Sequence, residues 1–155
     1  MGPLWHRLAW AVLGLAECSD GDPNCRVATV LRDVLSRLLG AEPGRDGDRV
    51  RCPVCGGVFS RRGIASHLRR TRCGEALSRA LAVAYALYRV ADTYYVRTCR
   101  DGTLKCCALC RRAFLRRSEA AKHVVLEHLD TLLGERGELV ARLAGVGWDR
   151  AGGQG

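Results

Sequence analysis

Two stretches decide how this chain folds: CPVCGGVFSRRGIASHLRRTRC, residues 52–73, and CALCRRAFLRRSEAAKHVVLEH, residues 107–128. Each opens with two cysteines separated by two residues, a tight knuckle that aims two thiolates at one point. In the first, eleven residues separate Cys55 from His67, and five more lead to Cys73. In the second, twelve residues separate Cys110 from His123, and His128 follows after four. Phe59 and Phe114 each come four residues after a knuckle, and Ile64 stands three before His67. Those are the places where a very small unit needs its large apolar residues; Ala120 fills the equivalent place in the second.

Soft sulfur and imidazole donors in sets of four suit a tetrahedral zinc ion with no open coordination position. The expected ligand sets are Cys52, Cys55, His67 and Cys73, and Cys107, Cys110, His123 and His128, holding two zinc ions. Cys106 is an alternative to Cys107, since three intervening residues also fall in the permitted range; Cys107 is preferred because both knuckles then have the same spacing. Both stretches resemble two-cysteine, two-histidine zinc fingers, the first with cysteine as its last ligand and one residue fewer before its histidine. As one candidate kind, they resemble the small zinc-finger proteins of archaea and their viruses. The resemblance covers about a third of the chain and implies two ββα units.

Charge leads to the same stretches. The 155 residues carry 25 Lys and Arg against 16 Asp and Glu, a net charge of +9. Residues 49–73 hold seven arginines and no acid, and residues 97–123 hold eight cations against Asp101 and Glu119. The remainder of the chain is therefore net acidic. Basic charge confined to the two metal motifs points to an anionic partner, whereas a merely solvated face usually mixes signs.

Hydrophobic residues at 48% and charged residues at 26% exclude wholesale disorder. The longest nearly apolar run, Leu8 to Ala16, is too short to span a bilayer. Pro3 and Glu17 beside Cys18 fit poorly with export, so an intracellular, cytoplasmic or nucleoid-associated protein is expected. Single Asn, Gln and Met residues fit a thermophilic source, although a GC-rich genome biases composition the same way.

Apolar periodicity sets out the rest. Leu4, Trp5, Leu8, Ala11, Val12 and Leu15 mark a first helix. Val27, Val30, Leu31, Val34, Leu35 and Leu38 mark a second, making a helical hairpin over residues 1–40, with Cys18 and Cys25 either disulfide-bonded or free. Residues 41–49 read as a polar linker and 50–73 as the first finger. A connecting helix over 74–93 is marked by Ala76, Leu77, Ala80, Leu81, Ala84, Tyr85 and Tyr88. Asp101-Gly102 between two β-prone runs predicts a hairpin feeding the second finger, within 94–133, whose helix continues past His128. A short helix and a loose tail, RAGGQG, complete residues 134–155. The expected fold is mostly α with small β-hairpins: two ββα fingers embedded in a helical body.

The leading functional expectation is a DNA-binding regulator of transcription or chromatin. The resemblance places Arg116, Glu119 and Lys122 at base-reading positions of the second finger. Gly63 and Ser66 occupy two of those positions in the first, whose Arg61, Arg62, Arg69, Arg70 and Arg72 suit phosphate instead. Arg111, Arg112 and Arg117 add to the basic surface. Two other readings stand beside this one: a structured-RNA or ribosome-binding zinc protein, and a protein–protein adaptor. The helical segments, with Trp5 and Trp10, offer a surface for a homodimer. No enzyme is expected. Three of four histidines are committed to metal, and neither a glycine-rich phosphate loop nor the zinc-deaminase signature is present.

Overall fold

The computed structural model describes residues 10–14, 23–39 and 44–145. The expected first helix lies outside them except for residues 10–14, as do Trp5, Cys18 and the RAGGQG tail. The described chain is mostly helical with two three-stranded antiparallel sheets. It divides into two compact units, Met1–Leu81 and Ala82–Gly155.

In the first unit, helix α1 spans Pro23–Leu39. Val30, Leu31, Val34 and Leu35 recur at helical spacing and are buried, while Leu38 emerges on the surface. Arg32 donates from Nε to the Val12 carbonyl and from Nη2 to the Ala11 carbonyl, both at 3.0 Å. These bonds tie α1 to the turn of chain at residues 10–14. Cys25 is disulfide-bonded.

Strands β1 (Gly44–Asp46), β2 (Arg49–Arg51) and β3 (Val58–Ser60) follow in sheet order β1-β2-β3. Residues 41–49, expected as a linker, thus contain β1 and the first residue of β2. The turn between these strands passes through Gly47 at φ +58°, a left-handed conformation that glycine adopts without steric cost. Helix α2 (Arg61–Arg70) packs on β2 and β3 and buries Ile64 completely. Ser60 caps it, its hydroxyl accepting from the Gly63 N–H at 3.0 Å.

The chain breaks at Thr71 and restarts as α3, Arg72–Tyr94. The Thr71 hydroxyl donates to the His67 carbonyl at 2.7 Å and accepts from the Cys73 N–H at 3.2 Å. One side chain thereby ends α2 and starts α3. Leu77, Leu81, Ala84, Leu87, Val90 and Ala91 form the buried stripe of α3.

The second unit repeats the plan of the first module. Strands β4 (Val96–Thr98), β5 (Lys105–Cys107) and β6 (Ala113–Phe114) form a sheet in order β4-β5-β6. The Asp101 carboxylate shapes the turn by accepting from the Thr103 and Leu104 N–H groups at 2.9 and 3.1 Å. Those two donors hold its carboxyl below the usual range. Cys99 and Cys106 are disulfide-bonded across this hairpin. Helix α4 (Arg117–Glu127) lies on all three strands, with Ala120, Ala121, Val124 and Val125 buried. Helix α5 (Leu129–Ala144) begins after a break at His128, contains a kink at Arg136 and ends on left-handed Gly145. The short helix expected within residues 134–155 is the later part of this longer element.

Both modules are therefore βββα rather than the expected ββα. The first spans about thirty residues, below the roughly 40 at which a chain usually folds without disulfide, metal or partner. Val50 and Ile64, each completely buried, contribute about 1.5–3 kcal/mol apiece. Such a core is small against the ordering entropy of the backbone, about 1–2 kcal/mol per residue. Something besides apolar burial has to hold it.

Candidate metal centres

All eight expected ligands come together, in two groups of four. In each group, one donor atom from every residue lies within 4.8 Å of the other three. The knuckles make this possible by turning the backbone sharply. The Gly56 N–H donates to the Cys52 carbonyl at 2.9 Å, and the Arg111 N–H to the Cys107 carbonyl at 2.8 Å. The first cysteine of each knuckle is buried and the second exposed.

Helix α2 presents His67 Nε2 at 3.5 Å from Cys55 Sγ, and α4 presents His123 Nε2 at 3.2 Å from Cys110 Sγ. Two ligands about 2.0–2.3 Å from one tetrahedral ion stand roughly 3.5 Å apart. Those separations are edges of the right tetrahedron. The phenyl ring of Phe59 stacks on His67 at 4.2 Å between centroids, and Phe114 tilts against His123 at 5.0 Å. The aromatic after each knuckle thus fixes the imidazole.

The fourth ligands come from the helix breaks. His67 and Cys73 are six positions apart, and His123 and His128 five. At about 100° per residue on a continuous helix, either pair would point more than 100° apart. The break at Thr71 and the break at His128 bring the last ligand back to the site. The extended Thr71 places Cys73 in the first turn of α3, and His128 is itself the junction of α4 and α5.

Electrostatics fits a bound cation. Burial pushes the Cys52 thiol up to about 11 and raises Cys107 as well. Buried thiols ionise readily only with positive charge beside them. Cys55 is lowered, chiefly because the Gly57 N–H points at its sulfur at 3.4 Å. Burial, then the proximity of His128, holds His123 below the usual imidazole range and keeps it in the neutral form a metal requires. His128 Nε2 is buried with no hydrogen-bond partner, a costly arrangement unless an ion takes its lone pair. The donor set and this orphaned nitrogen both fit a metal ion.

Cys106 is not available as the alternative ligand, since it is bonded to Cys99. Cys107 completes the cluster.

The other expected site residues surround the two modules. Arg61 and Arg62 at the start of α2, Arg69 and Arg70 at its end and Arg72 at the start of α3 are all exposed. Arg111 and Arg116 are exposed, and Arg112 lies over the Phe114 ring at 5.5 Å. Arg116 is the N-cap of α4, with exposed Glu119 and half-buried Lys122 one and two turns on. Arg117 has a structural partner: its Nε meets Asp92 Oδ1 at 2.5 Å and its Nη2 donates to the Asp92 carbonyl at 2.6 Å. Arg111 is the only described non-glycine residue at positive φ, +67°, at the knuckle position held in the first module by Gly56.

Among the described residues no helix is long and apolar enough to cross a membrane. Compared with protein-family models, curated proteins and solved structures, the chain finds no match in any of the three.

Proposed function

We propose that the two clusters each bind zinc and that the chain is a zinc-dependent nucleic-acid-binding protein, with DNA as the favoured target and gene or chromatin regulation as the role. One observation carries this reading. The chain's excess positive charge is confined to the two metal modules, on residues that those modules expose. A cation that merely solubilised the protein would have no reason to follow the metal sites.

The start of α4 supports base reading. With Arg117 as the first helical residue, Arg116, Glu119 and Lys122 stand at positions −1, 3 and 6, the positions through which fingers of this type meet base edges. In α2 the same positions are Ser60, whose hydroxyl caps the helix, Gly63, which has no side chain, and Ser66, a set without the long side chains that pair bidentately with a base. The first module holds phosphate while the second reads. Arg111 adds to this. A side chain in the left-handed region costs about 1–2 kcal/mol, and an arginine kept there is understandable as a contact to an anionic partner.

Selection of bound sequences from random DNA and RNA pools, followed by Arg116→Ala, tests the proposal. A matched arginine–guanine contact contributes about 1–3 kcal/mol of discrimination, so the variant should lose affinity for a selected duplex and keep it for random duplex. Glu119→Ala should tighten non-specific binding and relax the preference. Equal losses on selected and random DNA would remove base reading; selection of structured RNA alone would replace DNA as the target.

A further inference from the structure

The first module has a second cationic surface, on the side of its sheet away from α2. Val50 is completely buried under α2. Its neighbours on β2, Arg49 and Arg51, therefore point to the opposite face, and both are exposed. On β3 the register sets Ser60 opposite Arg49 and Val58 opposite Arg51. Ser60 is exposed, and Val58 keeps 49% of its surface accessible. On β1, Asp46 stands opposite Arg49 and Gly44 opposite Arg51. Arg51 thus has uncharged residues on both sides, and neither arginine has an ion pair among the described residues.

The second module does not share this surface. There the strand residue opposite Arg97 is Cys106, which is disulfide-bonded to Cys99, and the residue opposite Cys106 on β6 is Ala113. The sheet-borne arginine pair is a property of the first module.

We infer that the outer face of the β1-β2-β3 sheet, through Arg49 and Arg51, binds the phosphodiester backbone of duplex nucleic acid. The inference rests on the nucleic-acid reading above and adds a contact surface to it. Two residues apart on one strand, the guanidinium groups project side by side, about 6.6 Å apart along the backbone. Each carries a donor fork suited to phosphate oxygens. Their side chains read no base, since contacts of this kind position a duplex without carrying sequence information. Val58, beside Arg51 on the neighbouring strand and 49% exposed, adds an apolar residue suited to sugar carbons.

The test measures affinity for several unrelated DNA duplexes over a range of salt concentrations. Each phosphate contact adds about 0.9 to the slope of log K against log salt. Arg49→Ala with Arg51→Ala should make the slope shallower by about 1.8 on every duplex, with the metal content of the wild-type protein. Arg51→Ala alone should have the larger single effect, because the register partner of Arg49 on β1 is an acid and that of Arg51 is glycine. The charge-conserving pair Arg49→Lys with Arg51→Lys should restore the slope. If the alanine pair loses metal, Arg49→Gln with Arg51→Gln takes its place with the same expected change. An unchanged slope in the charge-removing pair, while Arg69→Ala, Arg70→Ala and Arg72→Ala together flatten it, would overturn the sheet surface alone. Absence of salt-dependent binding by the wild-type protein would overturn the nucleic-acid reading itself.

Discussion

Gly74 and Leu68 meet so closely across the break between α2 and α3 that a side-chain carbon on Gly74 would lie 1.8 Å from the Leu68 carbonyl oxygen. The obstacle is backbone, which cannot swing aside. Gly74 directly follows the candidate ligand Cys73, so relief of the clash shifts the backbone next to that residue. Gly74→Ala should destabilise the first unit by about 1–3 kcal/mol, as overpacking does. It should also weaken the first metal site while sparing the second. Stepwise release to a chelator, followed by thiol titration, checks this; two unchanged sites would contradict it.

Adjacent cysteines in the second module have different duties. Cys106→Ser removes the hairpin disulfide and should leave both metal ions bound. Cys107→Ser removes a ligand and should leave one ion per chain, with α4 and its sheet losing their order. Elemental analysis of protein purified without chelator should read two, two and one zinc for wild type, Cys106→Ser and Cys107→Ser. The reverse pattern for the two variants would make Cys106 the ligand.

Arg111 holds a conformation that favours glycine. Arg111→Gly relieves about 1–2 kcal/mol of left-handed strain, partly offset by the greater freedom glycine gives the unfolded chain. The variant should be more stable by a few tenths to about 1 kcal/mol in denaturant unfolding. If Arg111 meets phosphate, the same change should lower the salt slope by about 0.9. Greater stability with weaker binding is the expected combination.

Tyr95 links the second sheet to α5, its hydroxyl donating to Glu135 Oε1 at 2.6 Å. Burial, then this carboxylate, raises the phenol above its ordinary value of 10.0. The unfolded chain consequently ionises first as pH rises. The contribution of Tyr95 is complete below about pH 10 and is lost as pH climbs from there through the folded-state value. Tyr95→Phe should cost about 1 kcal/mol near neutrality and remove that part of the alkaline decline. A mutant curve parallel to wild type up to pH 11 would show that the bond contributes no such linkage.

The two Cys/His clusters were legible because ligand chemistry is discrete: a knuckle, an aromatic and two further donors at fixed distances suit a tetrahedral ion and little else. The long helices were legible from their apolar stripes, although Leu38 shows that a stripe can outlast the surface it covers. The third strand of the first sheet was harder, because Gly44–Asp46 carries no apolar alternation. A signal did exist. Asp46-Gly47 is the same dipeptide as Asp101-Gly102, which announced the other hairpin, and Arg49-Val50-Arg51 has the alternation of a half-buried strand. Thr71 likewise carried a helix-start signal two residues before Cys73. The partnership of Arg117 with Asp92 was not legible, since 25 residues separate them and only the folded unit brings them together.

Because the last ligand of each cluster comes from beyond a break, the number of residues between the third and fourth ligands is released from the helical repeat. One residue inserted into a continuous helix turns everything after it by about 100°, enough to carry a ligand off its ion. At Thr71 and His128 the backbone leaves the helical conformation, and a bend there can absorb such a change. The corner can accept insertions that an unbroken helix would not survive, and the spacings of five and four residues are two lengths that one device accommodates.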